Sequence, residues 1–299
     1  ITMAYIIFVN PNIMADAGID HGAAFVATCI AAALGSLLMG LYANWPVGLA
    51  PGMGLNAFFT YTVVGTMGYS WETALGAVFV SGVLFLILTL SRVREWLLNS
   101  IPVSLRYAMG AGVGLFLGII GLKTSGIIVD SPATLIKLGS LRDPAPLLAA
   151  VCFLMIAILS YHRVFGAILI SIIAVTLAGW GLDLVHYNGI LSAPPSLAPT
   201  WMAMDLKGVF NISMISVVLA FLFVHMFDTA GTLMGVAQRA GLVKADGKIE
   251  NLSRALKADS ASSVFGAVVG VPPVTSYVES AAGVAAGGRT GLTAVTVGV

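Results

Sequence analysis

Residues 270–283 read GVPPVTSYVESAAG, and a related arrangement occurs at residues 46–59, which read PVGLAPGMGLNAFF. In each stretch, prolines and glycines precede a single strongly polar side chain, Glu279 in the first and Asn56 in the second. Proline removes a backbone donor and glycine loosens a helix, so both stretches are predicted to interrupt the apolar segments that contain them. Residues 274–278 are β-branched and aromatic, which favours a short strand.

The composition is that of a membrane protein. Of the 299 residues, 59% are hydrophobic and only 9% are charged, whereas a soluble domain carries about 25% charged residues. The mean hydropathy is +0.99. The net charge of +1 indicates no nucleic-acid partner, and the two cysteines, Cys29 and Cys152, have no metal-binding spacing. We therefore expect a polytopic protein embedded in a lipid bilayer.

Runs of about 20 apolar residues predict transmembrane helices. The sequence contains ten such segments, at residues 1–15, 22–43, 46–66, 74–91, 101–122, 145–161, 164–182, 212–238, 252–271 and 274–299. The ends of the sequence cut the first and the last segment, which predicts that the chain is a fragment of a longer membrane protein.

The third and tenth segments contain the two interruptions, so they are not expected to be plain helices. Backbone that loses its helical hydrogen bonds at membrane depth must face protein or a cavity. Two interrupted segments in matching positions indicate the binding site of a transporter, and their separation by seven segments indicates an inverted repeat. The alternative is that the prolines and glycines only kink ordinary helices.

Three acidic residues lie within apolar segments, where a bare carboxylate is costly. Asp228 is in the middle of FVHMFDTAGTLMG (residues 223–235), Glu279 follows the interruption of the tenth segment, and Asp259 lies in the ninth. Acids at such positions typically belong to substrate sites, ion sites or proton relays. For Asp228 the alternative is a structural hydrogen bond between helices, and for Asp259 it is a local hydrogen bond near the end of its span.

His225 lies three residues before Asp228, so a helix places both side chains on one face. Such a pair can relay protons near neutral pH, or His225 can simply donate a hydrogen bond that holds Asp228 in place. The sequence contains no nucleophile motif, no zinc-binding motif and no nucleotide-binding loop. We therefore expect neither an enzyme nor a bound metal or cofactor.

Five segments together resemble a known family. They are MAYIIFVNP in the first span, APGMGLNAFF in the third, IPVSLRYAMGAGVGLFLGIIGL in the fifth, FDTAGTLMGVAQRAGL in the eighth and TSYVESAAGVAAGGRTGLT in the tenth. In this order they resemble the nucleobase–cation symporter family, in its AzgA-like branch of adenine, guanine and hypoxanthine permeases. The matching segments extend over the whole sequence.

The resemblance implies an all-α polytopic membrane protein built as an inverted 7+7 repeat of transmembrane segments. The broken spans three and ten are expected to carry short strands. A core domain is expected at residues 1–95 (spans one to four) and 212–299 (spans eight to ten, truncated), and the first half of a gate domain at residues 96–211. The resemblance also implies a multi-pass plasma-membrane location, in a bacterial inner membrane, and is compatible with a homodimer.

By the same resemblance, the chain is a secondary active transporter that imports a purine base together with protons. The predicted substrate-binding residues are Glu279, Asn56, Asp228, Phe58, Phe227 and Tyr277. Glu279 and Asn56 are expected to hold the purine edge, because carboxylates and amides can pair two edge groups at once. Phe58, Phe227 or Tyr277 is expected to stack on the purine face.

The predicted proton-coupling residues are Asp228, His225 and Glu279. Asp228 in FDTAGT matches an acid of span eight in the family, and several members carry another acid three residues earlier. This chain has His225 at that earlier position. We therefore expect Asp228 and His225 together to take the coupling proton or to orient the site.

Other functions are left open by the sequence. One is an anion carrier of the same general fold, although two acids near the expected site argue against an anionic substrate. A second is a pyrimidine or xanthine carrier of the same fold. A third is a channel, which would show rings of like residues in an oligomer.

Overall fold

The computed structural model describes residues 2–91, 111–112, 115, 118–131, 134–162, 164, 166–184, 193–243 and 249–299. The chain divides into two compact units. The smaller unit comprises Ile1–Thr2 and Ala111–Ala193, and the larger unit comprises Met3–Gly110 and Pro194–Val299. Most of the predicted fifth span, and the predicted domain boundary after residue 95, lie outside the described residues.

Residues 3–91, the described first part of the larger unit, form four α-helices and one strand. They are α1 (Ile6–Asp16), α2 (His21–Leu38), β1 (Leu49–Pro51), α3 (Met53–Ala57) and α4 (Trp71–Leu90). Two π-helical stretches extend α2 and α3, at Met39–Ala43 and Phe58–Thr66. Asp20 caps the start of α2, because its side chain accepts the Ala23 N–H at 2.7 Å, and Ser70 caps α4 in the same way.

The described part of the smaller unit includes a hairpin and two long apolar helices. Strand β2 (Ile128–Ser131) pairs antiparallel with β3 (Leu135–Leu138). Helix α5 (Pro144–Tyr161) is followed by α6 (Ala167–Gly181), and the two helices pack against each other. The chain turns between them at Gly166, whose left-handed φ of 77° favours glycine.

In the second half of the larger unit, the described residues form five helices and one strand. They are α7 (Leu206–Val209), α8 (Ile212–Ala240), α9 (Leu252–Val269), β4 (Val274–Ser276), α10 (Ser280–Ala285) and α11 (Gly291–Gly298). Helices α8 and α9 end at glycines with left-handed φ values, 74° at Gly241 and 98° at Gly270. A Cβ atom on Gly270 would lie 2.4 Å from Cβ of Thr200, so no larger residue fits there.

The two interrupted segments meet each other. Strands β1 and β4 pair antiparallel, with Leu49 opposite Ser276 and Pro51 opposite Val274. The predicted strand in the tenth segment is therefore confirmed, over three residues. Each strand is followed by a short helix, α3 after Gly52 and α10 after Glu279.

The backbone of β1 is hydrogen-bonded on both edges, as a buried strand requires. Beyond the ladder, the Gly52 N–H donates to the Pro273 carbonyl at 2.9 Å and the Tyr277 N–H donates to the Gly48 carbonyl at 3.0 Å. On the outer edge of β1, the Ser36 hydroxyl accepts the N–H of Leu49 at 3.0 Å and donates to its carbonyl at 3.2 Å. A side chain of α2 thus replaces a third strand.

Two apolar clusters hold the larger unit together. One forms between α2, α8 and α9 and includes Trp45 and Leu233. The other lies between α4, the first part of α8 and the π-helical stretch Phe58–Thr66, and it includes Phe59, Leu75 and Phe221. Because α4 packs on both α8 and α9, these helices form one support for the paired strands.

Four helices among the described residues are long and apolar enough to cross a membrane: His21–Ala43, Trp71–Leu90, Pro144–Tyr161 and Ile212–Ala240. They coincide with four predicted spans, and α6 and α9 lie within two others. The prediction of multiple apolar spans is confirmed. The prediction that the third and tenth segments are not plain helices is confirmed as well.

Candidate functional site

A buried carboxylate connects the paired strands to two helices. Asp259 of α9 is fully buried, and its carboxylate accepts hydrogen bonds from three side chains. The hydroxyl of Ser276 in β4 lies 2.7 Å from Oδ1, and Oδ2 lies 2.8 Å from the Thr229 hydroxyl and 3.0 Å from His225 Nε2. Asp259 therefore joins α8, α9 and β4, and the three donors offset the cost of burying its charge.

The imidazole of His225 has a defined orientation. In the tautomer that carries its proton on Nε2, His225 donates this hydrogen bond to Asp259. The Phe85 ring packs edge-on against the imidazole, with ring centroids 4.7 Å apart. The sequence paired His225 with Asp228 through helix spacing, whereas the structure gives Asp259 as the hydrogen-bond partner of Nε2.

Asp228 lies near the same strands, one turn from His225, and is half-buried. The Thr275 side chain of β4 lies within hydrogen-bonding reach of its carboxylate. His225, Asp259 and Glu279 are close enough to interact with Asp228 electrostatically. Asp228, Asp259 and Glu279 thus form one group, which we call the carboxylate cluster.

Glu279 lies between β4 and α10 and is half-buried. The hydroxyl of Tyr5, near the start of the chain, donates to Glu279 Oε1 at 2.6 Å. The next residue, Ser280, accepts the Gly48 N–H at 3.0 Å and so fastens the start of α10 to the segment before β1. The position of Glu279 is therefore set by contacts from both interrupted segments and from Tyr5.

Asn56 lies in α3 and is fully buried. Its Nδ2 donates to Oδ1 of Asn10, and Asn10 Nδ2 donates to the Thr28 hydroxyl at 2.6 Å. Thr28 in turn donates to the Ala24 carbonyl at 2.6 Å. Among the described residues, Oδ1 of Asn56 has no donor. We call Ala24, Thr28, Asn10 and Asn56 the amide relay.

The three predicted stacking residues lie in different surroundings. Tyr277 is buried at the end of β4, and its hydroxyl donates to the Pro51 carbonyl. Phe58 packs edge-on against Phe221 at 5.1 Å, whereas Phe227 stacks on Phe223 at 6.1 Å. Of the three, Tyr277 therefore adjoins the paired strands directly, and the other two belong to separate apolar clusters.

The structure adds residues that sequence reasoning missed or undervalued. The local pattern of Asp259 among serines favours a local hydrogen bond, yet its partners lie on α8 and β4. Tyr5 and Asn10 lie in the first-span segment MAYIIFVNP, in which no site residue was predicted. Their polarity in an otherwise apolar first span is the signal that would have found them.

The side chains of the carboxylate cluster determine which groups it can bind. Three carboxylates and one imidazole make it acidic, so it favours protons, cations or neutral groups that donate hydrogen bonds. It repels anions. Among the described residues, no group of His, Cys, Asp and Glu side chains is arranged so that it could hold a metal ion.

Comparison with known proteins gives consistent matches. A model of the "Permease family" matches residues 1–299. The chain is 50% identical over 299 residues to the adenine permease AdeP of Escherichia coli, covering 100% of this chain and 67% of the relative. It is 45% identical over 313 residues to the guanine/hypoxanthine permease PbuG of Bacillus subtilis, covering 100% and 70%.

A solved structure shares the fold. The transmembrane domain of the cyanobacterial bicarbonate transporter BicA superposes with a TM-score of 0.66, covering 97% of this chain and 76% of that one. The sequence identity is 15%, so the similarity concerns the fold alone.

Proposed function

This chain belongs to the permease family, in its AzgA-like branch, and from that premise we propose that it imports a purine base by proton-coupled symport. The family resemblance predicted from the sequence is confirmed. The chain is a multi-pass plasma-membrane permease and not an enzyme. The proposed substrates are adenine, guanine and hypoxanthine, after the relatives named for them.

The observation that carries the proposal is the carboxylate cluster beside the paired strands. A purine is flat and neutral, and its edge carries N–H donors that a carboxylate can accept in pairs. An acidic site of this kind favours such a substrate over an anion. The charge of the cluster therefore supports a nucleobase carrier rather than an anion carrier of the same fold.

We assign purine binding chiefly to Glu279. The Tyr5 hydroxyl donates to one oxygen of its carboxylate at 2.6 Å, which helps to hold the side chain in position. Asn56, Asp228 and the first turns of α3 and α10 complete the polar surroundings of the base. Stacking by Phe58, Phe227 or Tyr277 stays a prediction.

Proton coupling follows from crowding of like charges. Asp228 interacts with both Asp259 and Glu279, and each negative charge opposes the others. A proton taken up by Asp228 relieves this repulsion, and His225 then stays bonded to Asp259. A protonated Asp228 can also donate a hydrogen bond to an acceptor on the purine, so proton and substrate favour each other's binding.

Alternating access is proposed to arise between a core and a gate domain, within an inverted 7+7 repeat. The support is the antiparallel pairing of β1 with β4, each followed by a short helix, which is the arrangement expected of two related segments in opposite orientation. The core is assigned to residues 1–95 and 212–299.

The test is uptake of labelled adenine and hypoxanthine by cells that lack their own purine permeases and express the full-length protein. We expect saturable uptake that a protonophore abolishes. Uptake that persists with the protonophore would contradict proton coupling. Absence of uptake for every purine, from a protein shown to reach the membrane, would contradict purine transport.

A further inference from the structure

The amide relay determines which end of the Asn56 side chain is free. We propose that Asn10 and Thr28 are positioning residues that make Asn56 present its oxygen, and not its NH2 group, to a donor on the purine. The relay thereby contributes to selection among purines. This inference rests on the proposed function, because it concerns how the purine site reads its substrate.

The relay has a fixed starting point. The Thr28 hydroxyl oxygen lies 2.6 Å from the Ala24 carbonyl oxygen, and two oxygens approach so closely only with a proton between them. A carbonyl has no proton to give, so the hydroxyl of Thr28 is the donor. The remaining lone pairs of Thr28 can then only accept.

The direction passes from Thr28 to Asn10. Asn10 lies 2.6 Å from the Thr28 oxygen, and because that oxygen accepts, Asn10 must offer its NH2 group there. The oxygen of the Asn10 amide then faces Asn56 and can only accept from it. Amide oxygen and nitrogen are ordinarily interchangeable by a half-turn, but the fixed carbonyl of Ala24 removes that freedom.

Asn56 is therefore left with an unused acceptor. Its NH2 group is directed to Asn10, and its Oδ1 is buried with no donor among the described residues. The Thr60 hydroxyl, four residues further along the same segment, is also buried and without a partner in the described part of the chain. Buried polar atoms are rarely left unpaired, so two on one segment point to a polar ligand group that completes them.

Purines differ in hydrogen-bond polarity at one position. Adenine has an amino donor at position 6, whereas hypoxanthine has a carbonyl acceptor there. If the relay fixes Oδ1 of Asn56 as an acceptor, it can form a hydrogen bond with the amino group of adenine but is repelled by the carbonyl oxygen of hypoxanthine. Without the relay, the Asn56 amide can turn over and satisfy either purine, so selectivity falls while the shape of the site is kept.

The experiment compares three threonine variants of the purified full-length protein. Thr28→Val keeps the shape but removes the hydroxyl, and Thr28→Ser keeps the hydroxyl. Thr176→Val is the matched control, because the exposed Thr176 makes the same kind of helical bond, to the Ile172 carbonyl at 2.8 Å. The dissociation constants for adenine and hypoxanthine are measured for each, together with the unfolding temperature without ligand.

We expect the wild-type protein to bind the two purines with different affinities. In Thr28→Val the ratio of these affinities is expected to change about tenfold, so that the two affinities become more nearly equal. Thr28→Ser and Thr176→Val are expected to keep the wild-type ratio. If Thr28→Val does not fold, Asn10→Ala breaks the relay at the next residue and carries the same expectation.

Two kinds of result would overturn the inference. One is an equal change in both affinities when the relay is broken, which is the mark of a merely structural role. The other is an unchanged ratio, or a wild-type protein that binds both purines equally well. A wild-type protein that binds no purine would instead contradict the proposed function, on which the inference rests.

Discussion

The two interrupted segments share a backbone plan and differ in their side chains. Strand β1 is Leu-Ala-Pro and leads to a neutral amide, Asn56, that is fully buried. Strand β4 is Val-Thr-Ser and touches the carboxylate cluster through two hydroxyls, those of Thr275 and Ser276. The comparison suggests a division of labour, in which the third segment contributes shape and neutral recognition and the tenth contributes charge.

Replacing Asp259 is expected to have the largest effect, because it removes a charged group of the carboxylate cluster that the tenth segment contacts. Asp259→Ala leaves the buried side chains of His225, Thr229 and Ser276 without their acceptor. We expect a loss of about 3 kcal/mol in the free energy of unfolding, measured by denaturant titration of the purified protein.

Asn56→Ala is the comparison for that variant, since it removes a single neutral hydrogen bond on the other segment. It is expected to destabilise the protein by about 1 kcal/mol through that bond. If both variants lost the same stability, the two segments would not differ in the way described here.

Glu279→Gln is expected to have the next largest effect, on affinity rather than stability. The amide keeps the size of the side chain but removes the charge that strengthens hydrogen bonds from the purine. We expect purine binding to weaken about 10- to 100-fold, measured by calorimetry. The matched control is Asp16→Asn, because Asp16 is an exposed carboxylate that accepts from Tyr61.

Tyr5→Phe is expected to weaken purine binding about tenfold, because it removes the hydroxyl that orients Glu279. Tyr61→Phe removes the same group from the exposed pair with Asp16, whose hydrogen bond is 2.8 Å long. The control is expected to bind purine like wild type. Equal affinities for the two variants would show that Tyr5 does not position Glu279.

Ser36→Ala is expected to have the smallest effect on purine binding, and it tests the view of β1 as a scaffold. The Ser36 hydroxyl bonds both backbone groups of Leu49, so its loss should cost about 1 to 2 kcal/mol of stability. Purine affinity is expected to stay unchanged. Ser216→Ala, at an exposed serine bonded only within its own helix, provides the baseline for unfolding experiments.

Local chemistry was sufficient to predict much of this architecture. Proline and glycine placement located both interruptions, and the β-branched run located β4. The three intramembrane acids were recognisable because carboxylates are rare in apolar segments. These features depend on residues adjacent in sequence, which is why no knowledge of the fold was needed.

Long-range contacts were beyond such reasoning. Tyr5 and Glu279 are 274 positions apart, and nothing in either neighbourhood indicates the other. Helix spacing predicted that His225 lies beside Asp228. In the structure, His225 Nε2 lies 3.0 Å from Asp259, because α8 and α9 both pack on α4 and this packing brings the Asp259 carboxylate close. The amide relay likewise requires the packing of α1 on α2 and α3.

The most direct test of the account is the number of protons taken up when a purine binds. Adenine is added to the purified full-length protein in weakly buffered solution with a pH indicator, and the proton uptake is compared between wild type and Asp228→Asn. We expect binding to take up a proton in the wild type and none in the variant. Adenine binding without proton uptake by the wild type would contradict the claim that the carboxylate cluster couples protons to the purine.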